Sequence, residues 1–201
     1  MTMARAWPVG KLDPKATLAE NARIILRVRI AEFFSYAPIV ADERQTEALH
    51  NLRIAAKRLR YTLELFRTVF GDEGERQIEC VREIQELLGQ LHDHDVRIVL
   101  IEDELTRLAV EQTADIGRAL AAAPASSHQA ITTSALRPPP DDPRRGLLAL
   151  LSRQHASRHE IHSAFARRWS DLAEAGMRAD LVALSAMPLQ TKTIDSTMIQ
   201  S

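Results

Sequence analysis

The sequence predicts an all-α protein, an antiparallel bundle of about five helices. Residues that favour helices, namely alanine, leucine, glutamate and arginine, are plentiful, whereas only 7 of the 201 residues are glycine. Apolar residues recur at spacings of three and four through most of the chain, which is the periodicity of one face of a helix. The hydrophobic content of 45% and the charged content of 26% are typical of a globular domain with a single core.

The N-terminal residues and the single cysteine bear on the compartment. Residues 1–15 contain Pro8, Gly10 and Pro14, which predict a flexible arm. This arm lacks the apolar run of a signal peptide, and no run of about 18 apolar residues predicts a membrane span. Because Cys80 is the only cysteine, there is no disulfide framework. We therefore expect a cytoplasmic protein that does not contact a membrane.

The first helix is predicted to begin near Thr17 and to end before Pro38. Its apolar stripe consists of Leu18, Ala22, Ile25, Phe33 and Tyr36. Arg29 falls within this stripe. A charge in that position needs a carboxylate, a set of carbonyl groups or a bound anion as its partner.

The second helix is predicted from Asp42 or Arg44 to Phe70, with Gly71 capping its end. One face is apolar: Leu49, Leu52, Ala56, Leu59, Leu63, Phe66 and Phe70. The opposite side carries His50, Arg53, Lys57, Arg60 and Tyr61. Its basic residues span about 15 Å.

No acidic residue interrupts the basic row of this second helix. Arg53 and Lys57 are four residues apart, so their like charges repel each other at a small cost in helix stability. A merely solvated helix surface normally mixes charges of both signs. Two interpretations are therefore open, an ordinary exposed face and a surface that binds a polyanion.

A third helix is predicted from Gly74 to Leu88, a turn at Gly89, and a fourth helix from Val96 to Ala122. The segment between them reads His92-Asp93-His94-Asp95. Asp93 or Asp95 can cap the fourth helix. Metal binding is the weaker interpretation, because ligands one and two residues apart point in different directions. We favour a role for both aspartates in orienting the Lys and Arg side chains of the basic helix.

The remaining chain is predicted to contain a mobile linker at about 123–145, a fifth helix and a C-terminal tail. The linker is rich in Pro, Ser and Ala. The fifth helix runs from Arg145 to Ala173 and carries Arg158 in its apolar stripe. The helical domain thus covers 16–175 and the tail 176–201. On the flank of the fifth helix lie three histidines, for which we favour a position beside a ligand over metal binding: His155, His159 and His162.

Two stretches resemble the CHAD domain, the conserved-histidine α-helical domain. They are Leu-His-x-Leu-Arg-x-x-x-Lys-Arg-Leu-Arg-Tyr from residue 49 and Leu-Gly-x-Leu-x-Asp-x-Asp-Val from residue 88. The resemblance implies one half-repeat of a helical fold that binds inorganic polyphosphate, and it makes polyphosphate-metabolising enzymes candidate partners. The ligand-contacting residues that it implies are His50, Arg53, Lys57, Arg58 and Arg60, oriented by Asp93 and Asp95. More loosely, it covers Arg29 and Arg158 on the flanking helices.

The residues agree with a binding role for a linear polyanion. Guanidinium groups make bidentate contacts to phosphate oxygens, and no Gly-rich phosphate loop is present. There is no nucleophile with a base and no pair of catalytic carboxylates, so we expect neither catalysis nor a cofactor. Two alternatives are a nucleic-acid-binding module, which would normally be more basic than the net charge of −1, and a metal-dependent phosphohydrolase that uses the His and Asp residues.

Relatives of this kind usually contain two four-helix bundles related by a pseudo-twofold axis, whereas this chain has one basic motif. We therefore expect a homodimer, the commonest symmetric assembly. Trp169, Phe165 and the segment Leu181–Leu189 exceed what a five-helix monomer needs and are the predicted interface.

Overall fold

The computed structural model describes residues 5–135, 137 and 142–186, and this part of the chain contains helices and no strands. The all-α prediction is confirmed. The helices, numbered in chain order, are α1 Leu18–Phe34, α2 Thr46–Leu65, α3 Arg67–Ala122, α4 His128–Ala135, α5 Pro143–Glu174 and α6 Met177–Ala186. Short 3-10 turns lie at Ala37–Ile39 and Ala125–Ser127. None of the described helices is both long enough and apolar enough to span a membrane.

The chain divides into two compact units. Of the described residues, unit 1 comprises 5–88 and 165–186, and unit 2 comprises those between 89 and 164. Helices α3 and α5 each contribute residues to both units.

Helix α1 begins where the sequence predicted. The Thr17 hydroxyl accepts a hydrogen bond from the Glu20 N–H at 3.2 Å, and the Thr17 N–H donates to the Glu20 carboxylate at 2.8 Å. This reciprocal pair is a capping box, which satisfies two donors at the start of the helix. The hydrogen bond from the Thr17 backbone lowers the pKa of Glu20 below its ordinary value.

The N-terminal arm contains no helix between residue 5 and Thr17, and it is attached at two points. The Trp7 N–H donates to Glu32 at 3.4 Å, and the side chain of Asn21 bonds to both backbone groups of Asp13. The flexibility of the arm stays a prediction.

Unit 1 is built on the packing of α2 and α6 against α1. Helices α1 and α2 are joined by residues 35–45 and pack against each other as antiparallel neighbours. Their facing stripes supply completely buried side chains: Leu26, Phe33, Leu52, Leu59 and Leu63. Burial of each such side chain contributes about 1.5–3 kcal/mol.

Helix α2 ends at Leu65, earlier than predicted. Phe66 leaves helical geometry with φ −105° and ψ 27°, and it is buried with Phe70 in an edge-to-face ring contact of 6.5 Å. Gly71 then adopts φ 56° and ψ −150°, a backbone conformation that only glycine adopts readily. The predicted interruption at Gly71 is therefore present, although α2 has already ended.

The predicted turn at Gly89 is wrong, because α3 continues through this residue to Ala122. A single glycine costs a helix about 1 kcal/mol, and Leu88 and Leu91 on either side are buried. Their burial offsets that cost. Asp93 and Asp95 consequently lie inside a helix, so their predicted role as N-caps is also wrong.

The predicted linker and tail contain more helix than expected. Within 123–145, the structure has α4, while residues 136 and 138–141 lie outside the described residues. The tail predicted from residue 176 begins with α6, whose Leu181 and Leu184 are buried in unit 1. The C-terminal tail can therefore begin only after Ala186, and residues 187–201 lie outside the described residues.

Several residues of the predicted dimer interface are packed inside unit 1. Phe165 and Leu181 are fully buried, and Trp169 contacts Phe33 with a ring separation of 5.1 Å. Residues 187–189 of the same predicted interface lie outside the described part of the chain. The core thus uses part of the apolar surplus to hold α1 against α5 and α6, while Val182 is 49% exposed. The homodimer stays a prediction.

Candidate functional site

Three basic residues of α2 share one flank of the helix. Arg53, Lys57 and Arg60 follow one another at helical spacing, beside the buried stripe that contains Leu52 and Leu59. Lys57 is exposed, and the other two are partly buried. His50 lies one turn before Arg53 toward the start of the helix and is also partly buried.

The cations on this flank are poorly neutralised. Neither Arg53 nor Lys57 forms an ion pair with any carboxylate in the described ranges. The Arg60 Nε lies 3.7 Å from the Glu64 carboxylate, too far for a hydrogen bond. That nitrogen is buried and has no hydrogen-bond acceptor among the residues that the structure describes. The flank therefore keeps a positive potential that an anion can use.

The ring of Tyr61 lies close to two of these cations. Its centroid is 5.5 Å from the Lys57 Nζ and 5.1 Å from the Arg60 Cζ. The negative face of an aromatic ring attracts cations by about 0.5–1 kcal/mol at an exposed site. This attraction holds the two side chains near each other without cancelling their charge.

Arg58 lies on the other flank of α2 and is neutralised. It follows Arg53 by five residues, which corresponds to about 140° around the helix. Its guanidinium is 2.6 Å from the Glu32 carboxylate, and the Arg29 guanidinium is 2.5 Å from the second oxygen of the same group. Glu32 is only 2% exposed. We call Arg29, Glu32 and Arg58 the Glu32 cluster.

The Glu32 cluster shows what neutralises the charge of Arg29 within the apolar stripe of α1. Its partner is a carboxylate one helical turn away, and that carboxylate also joins α1 to α2 through Arg58. Both arginines were predicted to contact a ligand. The structure gives each of them an ion pair within the fold, and contact with a ligand stays a prediction.

Two arginines of α1 lie on the same side of the α1–α2 pair as the basic flank of α2. The sequence did not predict them as site residues. The Glu32 cluster occupies one side of the α1–α2 pair, so the remaining flanks of the two helices lie together on the other side. On α1 that flank carries Arg23 and Arg27.

We call these five cations the basic face: Arg23, Arg27, Arg53, Lys57 and Arg60. Like that of Arg60, the Nε of Arg23 is buried without an acceptor in the described part of the chain. Glu20 and Glu64 lie at the end of the face that is remote from the helix connection. The signal that identifies Arg23 and Arg27 is the same spacing of four between like charges that marks Arg53 and Lys57.

The remaining predicted site residues lie in unit 2. The Arg158 Nε donates to Asp95 at 2.5 Å, and the two side chains are 11% and 13% exposed. Arg158 therefore has a carboxylate partner, as a charged group in apolar surroundings requires. Asp93 is exposed on α3. That these aspartates orient the cations of α2 stays a prediction, since the observed partner of Asp95 is Arg158.

No group of three or more His, Cys, Asp or Glu residues within the described ranges could hold a metal ion. The thiol of Cys80 is partly buried in α3, and this burial raises its pKa. A raised pKa keeps the thiol protonated and makes it a poor nucleophile.

Comparison with known proteins adds one finding. The model of the CHAD domain family matches residues 2–102. No curated protein and no solved structure matches the chain. The matched range contains the whole basic face and the Glu32 cluster, whereas Arg158 lies beyond it.

Proposed function

The chain belongs to the CHAD domain family, and from this premise we propose that it binds inorganic polyphosphate along the basic face without transforming it. The family is associated with polyphosphate binding. The observation that supports the proposal is the arrangement of five cations on one side of the α1–α2 pair, of which Arg53 and Lys57 lack a carboxylate partner in the described part of the chain.

The spacing of the cations suits a linear chain of phosphates. One helical turn separates Arg53 from Lys57, which places their side chains about 6 Å apart along the axis. Neighbouring helix axes are about 8–10 Å apart, so Arg23 and Arg27 on α1 would extend the positive surface beside α2. A polyanion on this face would relieve the repulsion between the like charges of Arg53 and Lys57.

A binding role is proposed over a catalytic one because of the chemistry of the basic face. Arginine and lysine at these positions can neutralise phosphate oxygens, but they cannot generate a nucleophile without a base or a metal ion. We propose a cytoplasmic location. Polyphosphate-metabolising enzymes are the proposed partners, on the basis of the family resemblance.

The proposal is tested by replacing Arg53 and Lys57 together with alanine. We expect the affinity for long-chain polyphosphate to fall at least about tenfold at fixed salt, and the dependence of affinity on salt to become weaker, because fewer counterions are released on binding. Fluorescence anisotropy with end-labelled polyphosphate at several salt concentrations measures both effects.

The matched control removes the same charge elsewhere. Arg76 and Arg82 on α3 pair with the nearby carboxylates of Glu73 and Glu79, so their joint replacement by alanine should change the affinity less than about twofold. Equal losses in the two double variants would contradict a localised site. Competition by single-stranded DNA or RNA as effective as that by polyphosphate would favour the nucleic-acid alternative.

A further inference from the structure

Tyr61 lies at the solvent-facing edge of the basic flank of α2. It follows the buried Leu52 by nine residues, which places it on the opposite side of the helix at about 100° per residue. It follows Lys57 by four residues, and therefore lies about 40° beyond it on the side away from the core. Tyr61 is 48% exposed, so core packing alone does not account for this ring.

The ring of Tyr61 contacts two cations of the basic face. Its centroid lies 5.5 Å from the Lys57 Nζ and 5.1 Å from the Arg60 Cζ, within the distance at which a cation is attracted to a ring. Lys57 forms no ion pair with a carboxylate of the described residues. Because the ring carries no net charge, Lys57 keeps its full charge and its three N–H donors for an anion.

The mobility of an exposed lysine sets a cost on binding. The ammonium group of Lys57 is carried by a flexible four-carbon stem, whose rotational freedom is lost when the group is fixed against a phosphate. A side chain that is already held near its binding position loses less freedom when the ligand arrives. A neighbouring ring can therefore raise the affinity for an anion without touching it.

We propose that Tyr61 is a positioning residue of the basic face, whose ring holds Lys57 and Arg60 where both can meet a chain of phosphates. This inference rests on the proposed binding of polyphosphate and adds a residue that acts through its neighbours. Arg53 on the same flank has no such ring contact within the described ranges. The effect of the ring should therefore be confined to the other two cations.

Two substitutions of Tyr61 separate the ring from the hydroxyl group. Tyr61→Leu removes the ring but keeps an apolar side chain that favours a helix, and Tyr61→Phe keeps the ring. At fixed salt, Tyr61→Leu should lower the affinity for long-chain polyphosphate by about threefold to tenfold. The salt dependence of the affinity should not change, because no charge is removed. Tyr61→Phe should restore the wild-type affinity. Fluorescence anisotropy titrations at several salt concentrations measure these effects.

Trp7→Leu is the matched control. Trp7 is 43% exposed, close to the value for Tyr61. Its backbone N–H donates to Glu32, which lies on the other side of the α1–α2 pair from the basic face. Trp7→Leu should therefore leave the affinity for polyphosphate unchanged. Circular dichroism checks that all three variants keep their helices.

A spectroscopic test does not depend on the ligand. The sequence contains only four lysines, so NMR of protein labelled with ¹³C in lysine resolves their side chains, and Lys57→Gln assigns the signal of Lys57. The ring current of Tyr61 should shift the methylene signals of Lys57 in the wild type and in Tyr61→Phe. This shift should disappear in Tyr61→Leu.

Three results would overturn the inference: wild-type affinity in Tyr61→Leu, equally weak binding by Tyr61→Phe and Tyr61→Leu, or a Lys57 signal that does not respond to loss of the ring. The joint replacement of Arg53 and Lys57 by alanine judges the proposed function separately. If that double variant loses affinity while Tyr61→Leu does not, polyphosphate binding stands and the positioning role falls. A wild type that does not bind polyphosphate would overturn both.

Discussion

Arginines on the two sides of the α1–α2 pair have opposite electrostatic environments. On one side, Arg29 and Arg58 share the buried carboxylate of Glu32. On the other side, the basic face collects five cations, and Arg53 and Lys57 among them have no carboxylate partner in the described ranges. The same residue type therefore joins two helices on one side and leaves a positive surface on the other.

The difference is one of desolvation. A carboxylate as buried as Glu32 is costly unless cations and hydrogen-bond donors surround it, and Arg29, Arg58 and the Trp7 N–H do so. The charges of the basic face remain partly in water, so they repel one another only weakly. A bound anion would neutralise them. Neutralised arginines contribute to the fold, whereas the others are available to a ligand.

The largest effect is expected from breaking the Glu32 cluster. Glu32→Gln keeps the shape of the side chain but leaves two arginines without a counter-charge, and this should lower the free energy of unfolding by about 3 kcal/mol. Urea denaturation measures the change. Lys57→Gln on the basic face is the control and should cost less than about 0.5 kcal/mol. Equal costs for the two substitutions would remove the distinction between the two sides.

Breaking the ion pair between Asp95 and Arg158 in unit 2 should cause a smaller loss of stability. Asp95→Asn removes the charge that Arg158 contacts and should cost about 2 kcal/mol. The double variant with Asp95→Leu and Arg158→Met should regain most of this stability, because well-packed apolar groups can replace a buried pair.

Polyphosphate affinity of the same double variant decides the role of Arg158. If Arg158 resembles Arg58 and serves the fold, the affinity should be retained. A loss of affinity in a variant that unfolds at the wild-type urea concentration would instead return Arg158 to the predicted set of ligand contacts.

The smallest effect concerns Glu20, which lies at the acidic end of the basic face. The hydrogen bond from the Thr17 backbone lowers its pKa, so the ionised form is favoured in the folded state. Its contribution to stability is therefore fully present above the ordinary pKa of a glutamate and is lost as the pH falls below that value through the lowered pKa of the folded state. Glu20→Gln should flatten this part of the profile of unfolding free energy against pH.

Polyphosphate binding by the Glu20 variant sharpens the same comparison. Because the carboxylate is occupied by the cap of α1, we expect its removal to change the affinity less than about twofold. A clear increase in affinity would mean that Glu20 competes with the ligand for Arg23.

The sequence by itself determined the features that depend on residues within one or two helical turns. The all-α class follows from composition and periodicity, and the start of α1 follows from Thr17 and Glu20. The shared flank of Arg53 and Lys57 follows from their spacing once the apolar stripe of α2 is known. These features are local, because caps and helix faces involve neighbours along the chain.

Only the tertiary structure decided which charges have partners and where the helices end. Arg58 and Glu32 are 26 residues apart, and their contact exists because α2 packs against α1. The helix continues through Gly89 because the burial of Leu88 and Leu91 outweighs a local propensity. Likewise, Arg23 and Arg27 join the basic face only through the antiparallel packing of α1 and α2. Burial and charge pairing depend on distant segments meeting, and neither local spacing nor composition records which segments will meet.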